Sequence, residues 1–443
     1  MVILLELFLL LVASVSPSGA VEVQSKLRVI VTTDGEVDDR CSMVRFLLYT
    51  NEWDVRGLIH SSSKHHCKGD ADHPEKHWEP VSWLDRQLDA YEEVYENLKQ
   101  HDPDYPAPEY LRAQVFVGNI ALEGDMDAPT PGSDRIVEVL LEVDDSPVWL
   151  QAWGGPNTIA RALKTIQEEH PERIKDVTTK TRLYLISLQD STYKNYIEPE
   201  WPGLQTLQSG SVSYGAIAYR WPEIQPGEVQ RFFDSAWMTD NILRGHGPLC
   251  AMYESNKDGS FRSEGDSPAF LHLIPTGLRS TENPAFGGWG GRFASYSSDR
   301  WKSAEEPGVF PHSILRWAEH FQNDWAARAD WCIKTYAEAN HAPLVRVTPT
   351  GDLSAAPGER LALRVADSSD PDGDRLRFGW LHYAQAGAYG GPVRIENADT
   401  PTATVAVPKD ADQGDTVHVV CAVTDDGTPP LTRYARIIIT VND

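Results

Sequence analysis

The sequence predicts an α/β protein with a mainly parallel sheet flanked by helices, followed by a small all-β immunoglobulin-like sandwich. From Leu27 to about His341, short apolar runs alternate with segments of helical periodicity, which is typical of strands joined by helices. Beyond Ala342-Pro343, about 100 residues consist of short alternating runs separated by turn residues, which is typical of a β-sandwich. A chain of 443 residues is long enough for both regions.

The elements of the first region follow from this alternation. We predict strands at residues 28–33, 55–60, 115–118, 148–152 and 182–187. We predict helices at residues 39–49, 81–101, 133–142 and 157–170, and a late helical pair within residues 310–340. In the long second helix, apolar residues such as Trp83, Leu84 and Leu88 recur at intervals of three and four, which indicates one buried face.

The second region is predicted to hold strands alone, at residues 360–365, 375–380, 402–407, 416–424 and 433–441. Its Asp370-Pro-Asp-Gly-Asp374 turn and its Val-Asn-Asp ending resemble immunoglobulin-like and cadherin-like repeats of extracellular proteins. Turn chemistry explains the Asp-Pro-Asp-Gly segment, and a second Ca²⁺ there is the less favoured alternative.

Residues 1–20 read as a secretory signal peptide. An apolar run from Val2 to Val12 is broken only by Glu6, and small residues follow up to Ala20. No other stretch approaches the roughly 20 apolar residues of a membrane-spanning helix, so we expect no membrane span. We therefore expect a secreted, extracellular protein with a signal peptide at 1–20, an α/β domain at 21–341 and a β-sandwich at 342–443.

The charge balance narrows the class of partner. The chain has 40 basic and 65 acidic residues, a net charge of −25, which disfavours nucleic acid and anionic membrane surfaces. The five cysteines are widely spread and lack Cys-x-x-Cys or His-spaced patterns, so neither a disulfide framework nor a zinc site is indicated. One disulfide or buried free thiols remain the two alternatives.

An acidic segment, Thr32 to Asp39, stands between the first apolar strand and the helix after it. Asp34 ends the strand, whereas Asp38 and Asp39 begin the helix, where carboxylates also act as first-turn or capping residues. Three acids so close together repel one another unless a cation lies among them, and oxygen ligands suit a hard ion such as Ca²⁺. Ligands of such sheets bind outside the carboxyl ends of the strands.

Three segments resemble those that hold calcium in nucleoside hydrolases. In the family's Asp-x-Asp-Pro-Gly-x-Asp-Asp signature, Asp34, Asp38 and Asp39 match the last three acids, while Thr32 replaces the first. The segment 148–163 resembles the family's strand and Gly-Gly turn, and this resemblance implies a calcium-ligating backbone carbonyl at Trp153. The segment 263–268 resembles the family's last calcium carboxylate, which implies Asp266 as a ligand.

The surrounding sequence is similar to a secreted, cellulose-binding branch of these proteins. The resemblance covers nearly the whole mature chain and implies the hydrolase-like fold. Our own interpretation of individual residues predicts sugar contacts at Gln189, Asp190, His246, Trp289 and Arg292. The alternatives are loop capping by Gln189 and Asp190, a plain turn at His246 and a buried core position for Trp289.

Several histidines and one glycine bear on which group could protonate the leaving group. Gly265 stands where several family members place the histidine that protonates the leaving base, which puts nucleobase release in doubt. Other candidate donors are His246 and the histidines after the second strand, His60, His65 and His66, for which solvated loop positions are the alternative.

The sequence therefore supports two functions. The first is a secreted Ca²⁺-dependent glycosyl hydrolase that acts on an N- or O-linked pentoside. The resemblance implies that Asp34, Asp39, Asp266 and the Trp153 carbonyl hold the Ca²⁺. It also implies that Asp34 takes a proton from the attacking water, and we expect Asp38 to orient the sugar diol. The second is a noncatalytic carbohydrate (cellulose)-binding protein with a retained structural metal site. The expected partner is a small glycoside or a polysaccharide, and a homo-oligomer stays open. A purely structural adhesion-like protein would leave the acidic segments unexplained.

Overall fold

The computed structural model describes residues 26–308 and 312–442, so the predicted signal peptide lies outside the described residues. An eight-stranded sheet occupies the first part, in the order β3-β2-β1-β4-β5-β6-β8-β7. Its strands are parallel except β7, which pairs antiparallel with β8. The strands are β1 Leu27–Thr33, β2 Trp53–His60, β3 Val115–Val117, β4 Val148–Ala152, β5 Thr181–Ile186, β6 Gln205–Ser209, β7 Phe293–Ser295 and β8 Arg300–Ser303.

Thirteen α-helices lie in the described part of the chain. They are α1 Val37–Leu47, α2 Ser82–His101, α3 Pro108–Arg112, α4 Pro131–Leu141, α5 Asn157–Glu169, α6 Ile174–Lys180, α7 Glu198–Glu200, α8 Trp221–Ile224, α9 Gly227–Gln230, α10 Ser235–Met238, α11 Gly247–Ala251, α12 Ser267–Leu271 and α13 Ala318–Trp331. Both faces of the sheet are covered, because Val29 and Val31 of β1 join one apolar cluster and Ile30 joins another. The central strand is therefore buried on both sides, as in other parallel sheets.

The strands and helices predicted for the first region are present in the structure, and their ends differ from the predicted ends by at most about two residues. One prediction for this region is wrong. In place of a late helical pair, the described residues hold the single α-helix α13 with short 3₁₀ turns on either side, at Ser313–Trp317 and Tyr336–Glu338. Thr335 forms a capping box with Glu338, and this contact starts a separate short turn instead of a second long helix.

Strands β6, β7 and β8 were not predicted. The sequence of β6, Gln-Thr-Leu-Gln-Ser, carries no apolar run, and β7 and β8 are only three and four residues long. Short polar strands at the side of a sheet give almost no periodic signal.

The last part of the chain forms two small sheets around a shared apolar core. Leu363 and Val405 of one sheet and Val419 and Ile437 of the other belong to this core. The sheet orders are β10-β13-β12 and β11-β14-β15-β9. The strands are β9 Leu353–Ala355, β10 Arg360–Arg364, β11 Arg377–His382, β12 Arg394–Glu396, β13 Thr402–Ala406, β14 Thr416–Thr424 and β15 Thr432–Val441.

The C-terminal sheets also pack against the first region. Val420 of β14 and Tyr434 of β15 are buried within the main core of the α/β region. Arg433 donates to Asp324 of α13 at 2.7 Å, and the Asp324 side chain is 4% exposed. The Tyr434 backbone N–H donates to the carbonyl of Thr276. The two regions therefore share apolar and ionic contacts.

Two other expectations concern the whole described chain. None of its helices is both long enough and apolar enough to cross a lipid bilayer. All five cysteines are free and buried, which favours buried thiols over a disulfide.

Candidate functional site

The acidic segment lies at the carboxyl edge of the sheet, where β1 passes into α1. Asp34 is 1% exposed, and its Oδ1 accepts a hydrogen bond from the Glu36 backbone N–H. Asp39 is fixed from the other side, because its Oδ1 accepts from the Thr33 hydroxyl and from the Asp34 backbone N–H. The turn thus holds two carboxylates rigidly at the mouth of the sheet.

Asp38, Asp39 and Asp266 form a carboxylate triad. One oxygen from each lies within 4.8 Å of the others. Burial, followed by the charges of Glu36 and Asp34, raises the pKa of Asp38 to about 8. Burial and neighbouring carboxylates also hold the pKa values of Asp39 and Asp266 well above their usual range. The negative charges are therefore costly here without a counter-ion.

Among the four acids Asp34, Asp38, Asp39 and Asp266, two carboxylate oxygens are buried without a hydrogen-bond partner: Oδ2 of Asp34 and Oδ2 of Asp266. Buried carboxylate oxygens normally have a hydrogen-bond partner, so such atoms favour a bound water or ion. An all-oxygen set of this kind fits a hard divalent cation such as Ca²⁺. The prediction placed Asp34 with Asp39 and Asp266, whereas the structure groups Asp38 with these two acids. Asp34 lies close enough for its charge to raise the pKa values of Asp39 and Asp266, and it is also grouped with Glu36 and His66.

Glycines allow the close approach of other segments to the acids. A Cβ built on Gly154 would lie 2.8 Å from the Asp34 Cβ, and one on Gly265 would lie 2.6 Å from Asp38 Oδ2. Any side chain at either position would therefore displace a carboxylate.

The Trp153 carbonyl, which follows β4, accepts a hydrogen bond from the Gln189 side-chain amide. Gln189 also donates to the Ile186 carbonyl at the end of β5. The neighbouring Asp190 accepts from the backbone and hydroxyl of Thr192, which is the capping role, while its Oδ2 lacks a partner. Gln189 therefore covers the carbonyl that the resemblance assigns to the metal.

A buried ion pair lies next to the carboxylate triad and holds the loop that carries Asp266. Arg45 of α1 lies 2.9 Å from Glu264, and both side chains are fully buried. Burial raises the pKa of Glu264 to about 7, against the opposing effect of Arg45. The Arg45 guanidinium stacks 4.0 Å from the ring centre of Trp325. These contacts fix the loop that carries Asp266.

A cavity of about 570 Å³ opens above the acids. Glu36, Asp38, His66, Gln189 and Tyr219 are among the residues that line it. The Tyr219 hydroxyl donates to Glu36 at 2.9 Å and lies 3.3 Å from Asp38 Oδ1. The cavity is large enough for a small glycoside, and most of the residues that line it are of polar or charged types.

The three histidines after β2 take different positions. His60 is 1% exposed and stacks on Trp78 with ring centres 4.5 Å apart, and burial lowers its pKa to about 4. His65 and His66 line the cavity. His60 is therefore neutral at physiological pH.

Of the five predicted sugar contacts, Gln189 lines the cavity, whereas Asp190, His246, Trp289 and Arg292 do not. His246 pairs with Asp330 at 3.2 Å and with the Asp240 carbonyl. Trp289 is 1% exposed, and its indole N–H donates to the Tyr434 hydroxyl, so the core alternative holds for this residue. Arg292 pairs with the buried Glu306. Trp289 and Arg292 lie where the glycine-rich loop packs against the C-terminal sheets, and that packing, not sugar, uses their side chains.

Sequence reasoning missed Glu36, His77, Trp78 and Tyr219. Glu36 stands inside the quoted acidic segment, so its carboxylate was a usable signal. Tyr219 and His77 come from irregular loops, where no periodicity indicates which way a side chain points.

A parallel sheet flanked by helices, with acids gathered at its carboxyl edge, defines a nucleoside hydrolase-like protein. The family described as "Cellulose-binding Sde182, nucleoside hydrolase-like domain" matches residues 28–293. "Cellulose-binding protein Sde0182, C-terminal domain" matches residues 360–441. The chain belongs to this cellulose-binding Sde182 family.

A solved structure with a similar fold is a nucleoside hydrolase-related hypothetical protein from Saccharophagus degradans that is associated with carbohydrate metabolism. It is 31% identical, with a TM-score of 0.80, and the match covers 94% of this chain and 100% of that one. The type III effector XopQ bound to adenosine diphosphate ribose is 12% identical over 70% of this chain and 95% of that one, with a TM-score of 0.33, too low to support an argument. No curated protein matches the chain.

Proposed function

We propose that this chain is a secreted, Ca²⁺-dependent glycosyl hydrolase that acts on an N- or O-linked pentoside. The observation that carries the proposal is the pair of buried, unpartnered oxygens, Asp34 Oδ2 and Asp266 Oδ2, beneath an open cavity of about 570 Å³. Groups left unsatisfied in a native site need a ligand to account for them. Membership of a cellulose-binding family supports a carbohydrate as that ligand.

Asp38, Asp39 and Asp266 would hold the cation, and the Trp153 carbonyl could join them if the Gln189 amide moves away. The bound cation would neutralise the acids and lower the pKa of a water beside the sugar. Asp34 would accept the proton of that water, because its free Oδ2 has no competing donor.

The availability of a proton donor decides which leaving groups, and therefore which substrates, the site can release. Gly265 has no side chain to donate a proton, and His246 is bound to Asp330 and the Asp240 carbonyl. Either His65 or His66, which line the cavity, donates the proton, or the leaving group departs without protonation, which favours an activated leaving group over a nucleobase. General acid help is typically worth about 10² to 10⁴ in rate, so aryl pentosides should react measurably faster than nucleosides.

The test is a hydrolysis screen of the full chain with aryl pentosides, inosine and uridine, with Ca²⁺ and with a chelator. We expect aryl pentoside turnover that the chelator abolishes and Ca²⁺ restores. Asp34→Asn should lower the rate by about 10² or more. Asp72→Asn, at an exposed carboxylate on the loop after β2, is the matched control and should keep wild-type rates.

The second candidate is noncatalytic carbohydrate binding with a structural metal site. It is favoured by the Gln189 amide that covers the Trp153 carbonyl and by the missing donor at Gly265. Calorimetric binding of cello-oligosaccharides, together with no turnover of any glycoside in the screen, would support this candidate and overturn the first.

A further inference from the structure

Three residues far from the carboxylate triad each carry one buried oxygen that has no hydrogen-bond partner in the described part of the chain. The atoms are Asn340 Oδ1, Asp370 Oδ2 and Asp425 Oδ2. Asn340 is 5% exposed, and Asp425 is fully buried. Asn340 follows the short turn after α13, whereas Asp370 precedes β11 and Asp425 follows β14. The three oxygens therefore belong to the junction between the α/β region and the C-terminal sheets.

Turn chemistry accounts for only one oxygen of Asp370. Its Oδ1 accepts hydrogen bonds from the backbone N–H groups of Asp372 and Asp374, at 2.9 and 3.1 Å. This is the role that an aspartate commonly has at the start of a turn. The other oxygen, Oδ2, takes no part in these bonds and is buried. The turn therefore does not explain why this second oxygen is enclosed.

Asp425 and Asn340 are divided in the same way. Asp425 Oδ1 accepts from the backbone N–H groups of Gly427 and Leu431. It also accepts from the Asn340 side-chain amide, which lies 3.1 Å away. The same amide nitrogen donates to the Pro429 carbonyl at 2.7 Å. Because both of these partners are acceptors, the amide orientation is fixed, and Asn340 Oδ1 is left over together with Asp425 Oδ2.

Negative charge collects around these oxygens. Burial raises the pKa of Asp425, and the charge of Asp370 adds to this effect, so the two carboxyl groups lie close together. Burial, followed by the charge of Asp370, also raises the pKa of Asp374. The Asp372 side chain of the same turn is already paired with His341 at 3.0 Å. Asp370 and Asp425 therefore repel each other unless a cation lies between them.

We propose that Asn340, Asp370 and Asp425 bind a Ca²⁺ ion at the junction between the α/β region and the C-terminal sheets. All three free atoms are oxygens, the ligand type that Ca²⁺ prefers, and the set contains no nitrogen or sulfur that would favour zinc. Ca²⁺ takes about six to eight oxygen ligands, so backbone carbonyls and water would complete its shell. This site is separate from the carboxylate triad, and the inference does not depend on the proposed function.

The contacts of Asn340 indicate what such an ion would do. The Asn340 carbonyl accepts from the indole N–H of Trp331, the last residue of α13, at 3.0 Å. A cation held by Asn340, Asp370 and Asp425 would therefore connect the end of α13 to two loops of the C-terminal sheets. The ion would stabilise the contact between the two regions and not only the turn that carries Asp370.

The test is calorimetric titration of the metal-free full chain with Ca²⁺. Asp39→Asn removes a carboxylate from the triad and isolates the junction site, where we expect one Ca²⁺ per chain to remain bound. Asp370→Asn in that background keeps the oxygen that the turn uses and should lower the remaining Ca²⁺ affinity by about tenfold or more, as should Asp425→Asn. Asp399→Asn, at an exposed carboxylate between β12 and β13, is the matched control and should leave this affinity unchanged.

Tb³⁺, which replaces Ca²⁺ at oxygen sites, gives a second readout because tryptophan excites its luminescence. In the Asp39→Asn background this signal should be lost with Asp370→Asn and persist with Asp399→Asn. Circular dichroism checks that each variant folds.

Two results would overturn the inference. The first is a Ca²⁺ affinity of Asp39→Asn that neither Asp370→Asn nor Asp425→Asn changes. The second is a folded Asp39→Asn chain that binds no Ca²⁺. If the wild type instead binds a single Ca²⁺ that Asp370→Asn removes and Asp39→Asn leaves in place, the calcium of the proposed function is wrong and the junction site is confirmed.

Discussion

Gly265 lies so close to the Asp38 carboxylate that a side chain at position 265 would collide with it. A Cβ on Gly265 would lie 2.6 Å from Asp38 Oδ2, well inside contact distance. The histidine that several nucleoside hydrolases carry at the matching position could enter only if the Asp38 carboxylate moved. In this chain the missing proton donor and the position of Asp38 are therefore linked.

Gly265→Ala should weaken Ca²⁺ binding at the triad by about tenfold or more, because the Asp38 carboxylate would have to move. Calorimetric titration with Ca²⁺ measures the change. Gly210→Ala is the matched control, since no atom lies within 4 Å of a Cβ built there. Equal Ca²⁺ affinity in both variants would contradict the prediction.

Ca²⁺ should stabilise the fold. Burial first, and then neighbouring carboxylates, raise the pKa values of Asp39 and Asp266, so a cation that replaces repulsion with attraction favours the folded state. At 100 times Kd, binding to the folded state alone adds about 2.7 kcal/mol to the free energy of unfolding. The Tm in scanning calorimetry should fall on chelation. Asp39→Asn should reduce this dependence, and a wild-type Tm that ignores the chelator would count against a calcium site.

The contact between Arg433 and Asp324 should matter for stability. Asp324 is buried, and the charge of Arg433, followed by that of Arg328, holds its pKa below the usual range despite the opposing effect of burial. Removing one partner of a buried pair costs about 3 kcal/mol or more. Arg433→Met should therefore lower the free energy of unfolding by up to about that amount in urea denaturation, since Arg328 still pairs with Asp324 at 3.2 Å.

Arg375→Met is the control for that measurement. Arg375 pairs with Asp426 at 3.3 Å, but its side chain is 81% exposed, and exposed pairs are worth about 1 kcal/mol or less. Equal losses of unfolding free energy in the two variants would show that the buried pair between the two regions contributes no more to stability than an exposed pair.

His272 should make the fold sensitive to acid. Its ring lies among Trp149, Tyr184 and Phe293 with no hydrogen-bond partner, and burial lowers its pKa to about 3. Below an ordinary pKa of about 6.5 the unfolded chain takes up a proton that the folded chain refuses. The stability from neutral His272 is thus complete above about pH 6.5 and declines as the pH falls towards 3.

His272→Phe should therefore lose less stability than the wild type between pH 7.5 and pH 5. The difference grows by at most about 1.4 kcal/mol per pH unit below 6.5. Urea denaturation at several pH values measures it. Parallel stability curves for the two proteins would show that His272 does not titrate as described.

The acids could be predicted from the sequence because topology decides their place. Asp34 ends a buried parallel strand, and the following helix starts at Val37, so Asp38 and Asp39 must lie at the same edge of the sheet. Asp266 came from the resemblance, since nothing in its local pattern states that it meets the first motif.

The misplaced residues have a different cause. The pattern around Trp289 and Arg292 indicates a glycine-rich loop, but not that Trp289 contacts Tyr434, which lies 145 residues later in the chain. His66 and Tyr219 meet across loops without regular structure, so only the folded chain brings them to one cavity.

The hydrogen bond from Tyr434 to Thr276 and the burial of Tyr434 in the main core have a consequence for how the chain is made. Strand β15 is synthesised long after the eight-stranded sheet, yet it fills part of that sheet's core. During synthesis, the chain would expose part of the apolar core surface until β15 is made and covers it. The core of the α/β region is therefore completed only after β15 has been synthesised. Until then, the incomplete region exposes apolar surface to which a chaperone would bind.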